Sequence, residues 1–338
     1  MKTLIIESPG KVTIRETGIP RPGEGEALLK MKYGGICGSD LNSYRGASAY
    51  VSYPRIPGHE FSAEIIEIEK NDRGLKPGML VTGNPYFNCG TCYSCRRGLV
   101  NCCTANQTMG VQRDGAFSEY FTMPVNRLYG GKGLEARTLA LIEPFCISYH
   151  GAARADIREG ERILVVGAGT IGVLAAMAAK LRGARVWMTD ISARKLALAE
   201  GFGIDGSFVN GGAAAFEEGV EKAAGGDGFD VAIEAVGLPS TFQNCIDAVA
   251  FGGRVVLIGV GKKNLDFNFT LLQKKELRVS GSRNALARDF LELIDLVKER
   301  RIPLDHIVTA VYPFAEGGRA FADFDKNAAS MLKVVLEF

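Results

Sequence analysis

Four cysteines crowd into a short stretch of the chain at a spacing typical of metal binding. Cys89, Cys92, Cys95 and Cys103 form the pattern C-x2-C-x2-C-x7-C. Thiolates on glycine-containing turns can converge on one ion, and four thiolates complete a zinc tetrahedron with no open position. Such a closed site stabilises a fold and performs no chemistry. The pattern therefore predicts a structural zinc in a lobe spanning about residues 86–106.

Other interpretations of these cysteines remain open. The same thiols could hold an iron-sulfur cluster, form a disulfide pair, or be unrelated buried thiols. Cys102 lies beside Cys103 and could replace it as the fourth ligand. We interpret the eight cysteines of the chain as reduced thiols, because their spacing suits a metal better than a disulfide framework.

A second set of candidate ligands is dispersed along the chain. It consists of Cys37, His59, Glu60 and Glu143. A catalytic zinc needs about three protein ligands and an open position, and a thiolate, an imidazole and a carboxylate supply such a set. A zinc held in this way would lower the pKa of a bound hydroxyl, which alcohol oxidation requires.

The carboxylate ligand is left open between Glu60 and Glu143. In a regular strand, the neighbouring side chains of His59 and Glu60 would point to opposite faces, so only a bend or bulge would let both bind one ion. The other carboxylate would then lie behind the ligands or exchange with water. Iron, manganese or cobalt would also suit these donors.

A glycine-rich turn in the middle of the chain predicts a dinucleotide site. An apolar run at 163–166 leads into 167–172, which reads Gly-Ala-Gly-Thr-Ile-Gly, and then into an alanine-rich helical stretch. Gly167 permits the tight turn, Gly169 lets a pyrophosphate approach the backbone, and Gly172 permits close packing of strand and helix.

An acidic residue follows the next predicted strand. Asp190 lies about 20 residues beyond the turn, where a carboxylate can accept bonds from both ribose hydroxyls and repel a 2′-phosphate. NAD is thereby favoured over NADP, although Arg194 would tolerate a phosphate unless it is only a solvated helix charge. The predicted cofactor-binding residues are Gly167, Gly169, Thr170, Ile171, Gly172, Asp190 and Arg194.

The elements that position these residues change in character along the chain. The first third has short alternating runs broken by Gly and Pro, such as 27–33 and 64–69, which predict an irregular β domain. From about Arg162, buried strands alternate with helical stretches, as in a parallel sheet flanked by helices. After about Ser282, an amphipathic stretch and a closing strand at 332–336 predict a tail that returns to the first domain.

Length and composition limit the classes of function. The 338 residues, 46% of them hydrophobic, suffice for two domains with buried cores. Forty basic and 38 acidic residues give a net charge of +2 with no basic run, which makes nucleic acid an unexpected partner. We find neither a signal peptide pattern nor an apolar run of about 18 residues, so a cytoplasmic protein without membrane partners is expected.

Taken together, these motifs resemble the zinc-containing medium-chain alcohol and polyol dehydrogenases, within the branch of sorbitol, threonine and bacterial sugar-acid dehydrogenases. The resemblance spans essentially the whole chain. The matching segments are residues 35–40 (GICGSD), 57–60 (PGHE), 89–103, 114–120 (DGAFSEY), 143–144 (EP) and 166–172 (VGAGTIG).

The resemblance implies an α/β protein with a GroES-like, β-rich catalytic domain at 1–148, a Rossmann NAD-binding domain at 149–283, and a segment at 284–338 that completes the catalytic domain. It implies two zinc ions, with Cys37, His59 and either Glu60 or Glu143 at the catalytic one. It further implies Ser39 as the proton relay, and a homodimer or homotetramer.

Two positions set this chain apart from many relatives. Glu143 stands where classical alcohol dehydrogenases have a second cysteine, which favours the polyol branch. Asn42 replaces the histidine that ends the proton relay in many relatives, so the proton must leave through ribose hydroxyls, water or another base. His150 could contribute, but a satisfied buried histidine is its expected role.

The expected reaction is NAD-linked oxidation of a secondary alcohol to a ketone, through a zinc alkoxide, a proton relay at Ser39 and hydride transfer. Polyols or sugar acids are the expected substrates. The segments that could border the pocket contain Tyr44, Arg45, Tyr50 and Arg113, and either arginine could hold a carboxylate by two parallel hydrogen bonds. A stabilising role for both arginines on surface loops is equally open. Threonine or a small diol such as butanediol is the alternative substrate.

Two further classes of protein compete with this interpretation. A catalytically silent dinucleotide-binding protein would keep 167–172 but could dispense with the ligand set, whose retention argues against it. A quinone or enone reductase would need no zinc ligands and would commonly use NADPH. Metal content distinguishes the second class from a zinc dehydrogenase.

Overall fold

A computed structural model describes residues 1–261, 263–300 and 302–338. The chain divides into two compact units, the first formed by Met1–Glu143 with Ala285–Phe338 and the second by Pro144–Asn284. The sequence-based boundaries at 148/149 and 283/284 lie within five residues of these divisions. Among the described residues, none of the helices combines the length and the apolar composition that spanning a bilayer requires.

The described residues form seventeen strands and eleven α-helices. The strands are β1 (Lys2–Ser8), β2 (Lys11–Glu16), β3 (Glu26–Ile36), β4 (Glu60–Ile68), β5 (Leu80–Gly83), β6 (Tyr86–Phe87), β7 (Gln107–Thr108), β8 (Tyr120–Pro124), β9 (Leu128–Gly130), β10 (Arg162–Val166), β11 (Arg185–Asp190), β12 (Gly206–Val209), β13 (Phe229–Glu234), β14 (Val249–Leu257), β15 (Arg278–Gly281), β16 (Val308–Pro313) and β17 (Lys333–Glu337). The helices are α1 (Gly38–Tyr44), α2 (Tyr93–Arg96), α3 (Ala136–Ala140), α4 (Ile142–Arg154), α5 (Thr170–Lys180), α6 (Ala193–Glu200), α7 (Ala213–Ala224), α8 (Pro239–Ala248), α9 (Thr270–Lys274), α10 (Ala287–Glu299) and α11 (Gly317–Lys326).

The first unit is built on a mixed sheet in the order β16-β17-β3-β4-β5-β9, with β8 also paired to β3. The last strand, β17, pairs with β16 in parallel and with β3 in antiparallel orientation. Alternating apolar residues on these strands enclose a core that includes the fully buried rings of Phe61, Phe117 and Phe321. Because β17 pairs with β3, the end of the chain lies directly beside the strand that leads to Cys37.

The second unit contains a six-stranded parallel sheet in the order β12-β11-β10-β13-β14-β15. The apolar run of β10 is buried, which is usual for a parallel strand covered on both faces by helices. The strand order reverses direction at β10, and ligands of such sheets bind outside the carboxyl ends of the strands at that point. The predicted fold class, a β-rich unit with a doubly wound parallel-sheet unit, is confirmed.

Candidate active site

Three of the predicted zinc ligands meet in the first unit. Cys37 lies between the end of β3 and the start of α1, His59 directly precedes β4, and Glu60 opens that strand. One ligand atom from each of these residues lies within 4.8 Å of the other two. His59 and Glu60 are buried, whereas Cys37 is partly exposed.

A bend brings the neighbouring side chains of His59 and Glu60 to the same place. Gly58 has a φ of +98°, which only glycine adopts readily, so the chain turns just before β4 begins. Opposite Glu60, β3 offers Gly35, where a Cβ atom would lie 2.1 Å from Glu60 Oε2. The bend that the sequence required is therefore present, and a glycine in the neighbouring strand makes room for the carboxylate.

Asp40 organises the backbone around this cluster. Its carboxylate is fully buried and accepts hydrogen bonds from the backbone amides of Cys37 at 3.0 Å and Gly58 at 3.2 Å. Asp40 Oδ1 also lies 3.8 Å from His59 Nδ1, a buried atom with no hydrogen-bond partner among the described residues. Ser39 places its Oγ 3.4 Å from His59 Nε2. The candidate proton relay is thus adjacent to the imidazole.

The two candidate carboxylates have partners of different charge. The Nζ of Lys333 donates to both carboxylate oxygens of Glu60, at 2.7 and 2.6 Å, and both side chains are buried. Glu143, at the start of α4, instead accepts a hydrogen bond from the hydroxyl of Tyr86. Glu60, and not Glu143, belongs to the group whose ligand atoms lie within 4.8 Å of one another in the described chain.

Burial and mutual interaction shift the pKa values in this cluster. Burial lowers the pKa of His59, but Asp40 and Cys37 outweigh burial and raise it well above its usual value. Burial raises the pKa of Glu143 to about 7, with Glu60 adding to the effect. Burial lowers the pKa of Lys333, whereas Glu60 and Cys37 raise it above its usual value, so Lys333 is an ammonium at neutral pH.

These donors fit a zinc ion. A thiolate, an imidazole and a carboxylate form a usual catalytic zinc set. Asp40, Glu60 and Glu143 are three buried carboxylates, whereas Lys333 is the only buried lysine or arginine in the described part of the chain. A divalent cation that takes the place of the imidazole proton would compensate these carboxylates, which are costly to bury without a counter-charge.

The four cysteines of the lobe also converge. The sulfurs of Cys89, Cys92, Cys95 and Cys103 all lie within 4.8 Å of one another, close enough to surround one ion at Zn–S distances of about 2.3 Å. The fourth member of this group is Cys103, not its neighbour Cys102. No disulfide joins these four cysteines. The arrangement is that of a closed metal site without an open position.

Local backbone explains how the lobe forms. The pair β6 and β7 closes its base, and the amide of Cys89 donates to the sulfur of Cys103 at 3.2 Å. Backbone amides of Thr104 and Cys95 lower the pKa of Cys92 to about 5, whereas desolvation raises the pKa of Cys95 to about 11. Amide donors thus surround the sulfurs, as expected where several thiolates share one ion.

The glycine-rich turn of the second unit follows the central strand β10 and leads into α5. A Cβ atom on Gly172 would lie 1.8 Å from the carbonyl oxygen of Gly167, whereas one on Gly169 would meet nothing within 4 Å. Gly167 has a φ of +105°. Gly172 and Gly167 therefore serve the packing of the turn, and the backbone at Gly169 is open to a ligand.

Asp190 ends β11 beside this turn. Its Oδ2 accepts the amide of Ala168 at 2.7 Å and its Oδ1 accepts the amide of Ser192 at 2.8 Å. Each carboxylate oxygen retains a further lone pair. Arg194 is exposed on the first turn of α6, and Thr170 and Ile171 open α5. Asp190 thus holds the turn and still has acceptor capacity for a hydroxyl ligand.

The arginines and tyrosines predicted near the substrate have other contacts. Arg45 forms an ion pair with Asp325, and Tyr44 packs its ring on Phe321. The ring of Tyr50 is exposed. The guanidinium of Arg113 lies 3.6 Å from the ring centre of Phe87, which Arg127 also covers at 4.3 Å. These contacts favour the stabilising role of both candidate arginines.

Of the remaining polar residues, Asn42 is half-buried on α1 and His150 is buried on α4, as expected for a structural histidine. Sequence reasoning missed Lys333 and Tyr86. A lysine inside the otherwise apolar closing strand was a signal for the first. No pattern indicated that the hydroxyl of Tyr86 would meet Glu143.

Comparison with known proteins gives the same assignment for both units. Residues 23–131 match the alcohol dehydrogenase GroES-like domain, and residues 170–299 match the zinc-binding dehydrogenase family. The chain is 38% identical to L-galactonate-5-dehydrogenase of Escherichia coli K12, an alignment that covers 100% of this chain and 99% of the relative.

Comparison with solved structures supports the same family assignment. An alcohol dehydrogenase (rspB) of Escherichia coli CFT073, complexed with NADH, superposes with a TM-score of 0.93 at 30% identity, covering 100% of this chain and 99% of the other. A zinc-binding dehydrogenase of Sinorhizobium meliloti 1021, bound to NADP, superposes with a TM-score of 0.90 at 30% identity and the same coverage. The predicted resemblance is confirmed, and the chain belongs to the zinc-type medium-chain alcohol and polyol dehydrogenases.

Proposed function

We propose that this dehydrogenase oxidises a secondary hydroxyl of a sugar acid or polyol to a ketone, with NAD as the hydride acceptor. The observation that carries the proposal is the convergence of Cys37, His59 and Glu60, of which the imidazole and the carboxylate are buried. The 38% identity to a galactonate dehydrogenase over the whole chain supports a sugar acid as substrate. A silent dinucleotide-binding protein would have no use for such a cluster.

In this proposal Cys37, His59 and Glu60 hold the catalytic zinc. The ion, when bound, supplies a Lewis acid that lowers the pKa of the substrate hydroxyl, and the nicotinamide accepts the hydride. Asp40 holds the backbone on either side of the ligands, which fixes the position of the imidazole. Glu143 is the second carboxylate, held by Tyr86 within the same buried region.

Ser39 is the group that receives the hydroxyl proton, because its Oγ lies 3.4 Å from His59 Nε2 and hence next to the ligand set. Asn42 follows on the same helix and has no titratable proton. The proton therefore continues from Ser39 to ribose hydroxyls or water. The structural zinc is held by Cys89, Cys92, Cys95 and Cys103.

The first test combines metal content with a substrate panel. Protein purified without added metal is assayed for zinc per subunit and for NAD reduction with sugar acids, neutral polyols, threonine and butanediol. We expect two zinc ions per subunit and the highest kcat/KM on a sugar acid. Turnover confined to threonine or butanediol would show that the substrate class is not sugar acids or polyols. One zinc ion per subunit without turnover would favour a catalytically silent dinucleotide-binding protein.

A further prediction concerns the cofactor. Replacing Asp190 with Asn should shift the ratio of kcat/KM for NAD over NADP by at least about tenfold toward NADP, because one charge-assisted bond to the ribose is lost and the repulsion of a 2′-phosphate disappears. Steady-state kinetics with both cofactors measures this ratio. If Asp190 only holds the turn through Ala168, both cofactors should weaken equally.

The proposed assembly is a homodimer or homotetramer, as the family resemblance implies. Light scattering coupled to size-exclusion chromatography measures it directly, and a monomer at micromolar concentration would contradict it.

A further inference from the structure

Lys333 is a buried lysine that contacts one of the proposed metal ligands. Its side chain is 3% exposed, and its Nζ donates to both oxygens of Glu60 and, at 3.3 Å, to the carbonyl of Ile36. An ammonium has three N–H groups, so these three contacts use its full donor capacity. The lysine therefore holds Glu60 and is itself anchored to the strand end that precedes Cys37.

This lysine reaches the cluster through the fold rather than through the local sequence. Lys333 opens β17, whose pairing with β3 sets Val334 opposite Ile36. It lies 273 residues from Glu60 along the chain. The charged groups that interact with it, Cys37, Glu60 and Glu143, are all acidic. Lys333 is thus a buried positive charge whose charged interaction partners are acidic groups.

We propose that Lys333 is a positioning residue that competes with the metal for Glu60 and so makes Glu60 a weak, exchangeable ligand. This inference rests on the proposed function. A carboxylate whose oxygens both accept from an ammonium donates less charge to an ion, and the ammonium also repels that ion directly. Both effects lower the affinity of the site for the metal. They also leave the bound ion more Lewis-acidic than it would be if Glu60 were not shared with Lys333.

The direct test measures the affinity of the protein for the catalytic zinc. This is the ion whose binding is lost when Cys37 is replaced with Ser. Replacing Lys333 with Met should tighten its dissociation constant, measured by competition with a chromogenic chelator, by at least about tenfold, because attraction to Glu60 is no longer shared and the repulsion is gone. Lys333→Arg keeps the charge and should stay within about threefold of the wild-type value. Lys326→Met, at an exposed lysine of α11, controls for loss of charge alone.

An unchanged or weaker zinc affinity in Lys333→Met would overturn the inference and leave Lys333 a structural counter-ion. If this variant does not fold, Lys333→Gln removes the charge but keeps one hydrogen bond to Glu60, and the same tightening is expected. Failure of the proposed function looks different. In that case Cys37→Ser would leave the zinc content of the protein unchanged, whereas failure of the inference alone leaves two zinc ions and no effect of Lys333.

The stability of the metal-free protein provides a second readout. Without zinc, Lys333→Met leaves Glu60 buried without its counter-charge, so the melting temperature should fall. Adding Glu60→Gln to this variant removes the uncompensated carboxylate and should recover part of the loss. A melting temperature that is no higher in the double variant than in Lys333→Met would contradict a pairing between the two side chains.

Discussion

Replacing His59 with Ala is expected to lower kcat/KM by about 10³-fold or more. The imidazole is one of three proposed zinc ligands, and loss of the Lewis acid removes several kcal/mol of transition-state stabilisation, of which about 4 kcal/mol corresponds to 10³-fold. The zinc content should fall from two ions per subunit to one, because the four cysteines of the lobe are untouched.

The affinity for NADH should change little in this variant, since the glycine-rich turn belongs to the second unit. A fluorescence titration of NADH measures it, with the single tryptophan, Trp187 on β11, as the energy donor. His306→Ala is the matched control, because His306 is exposed and belongs to neither metal cluster. A His59→Ala enzyme that keeps more than a tenth of its activity would rule out the proposed role of the imidazole.

Replacing Gly172 with Ala is expected to destabilise the protein by about 3 kcal/mol or more and to abolish NADH binding. The new methyl group would lie 1.8 Å from the carbonyl oxygen of Gly167, so the turn between β10 and α5 must move. Overpacking of this kind costs about 1–3 kcal/mol and more where backbone has to shift. Chemical unfolding and NADH titration measure the two effects.

Gly169→Ala in the same turn separates binding from folding. Gly169 has a φ of −77° and open space around its Cα, so alanine fits and the free energy of unfolding should stay within about 0.5 kcal/mol. NADH affinity should nevertheless fall at least about tenfold, because the methyl group would occupy the space through which a pyrophosphate approaches the backbone. If Gly169→Ala and the wild-type protein bind NADH with equal affinity, the pyrophosphate does not bind at this turn.

The two buried carboxylates that the sequence offered as zinc ligands have contrasting partners. Glu60 is paired with a cation, Lys333, and Glu143 with a neutral hydroxyl, that of Tyr86. The two acidic groups therefore differ in environment although they are chemically alike, and such differences are what separate the roles of paired carboxylates. In the proposed mechanism, Glu60 is the ligand and Glu143 is a second buried carboxylate that is held by Tyr86.

Some features of this protein followed from the sequence because they are local. The glycine-rich turn joins adjacent elements, so the motif already implied a tight turn at Gly167 and close packing of strand and helix at Gly172. The cysteine lobe is likewise a short segment, in which spacing alone limits which sulfurs can meet. Alternating apolar strands and helical stretches indicated the parallel sheet, because burial on both faces demands continuous apolar runs.

Tertiary structure alone decided the contacts between distant segments. The sequence left Glu60 and Glu143 equal as ligands, and the bend at Gly58 with the space at Gly35 places Glu60 in the cluster. Arginine side chains suggested a carboxylate site, but whether a guanidinium is available depends on its neighbours, and Arg45 is paired with Asp325. Lys333 reached Glu60 only because β17 pairs with β3, a long-range register that no local pattern encodes.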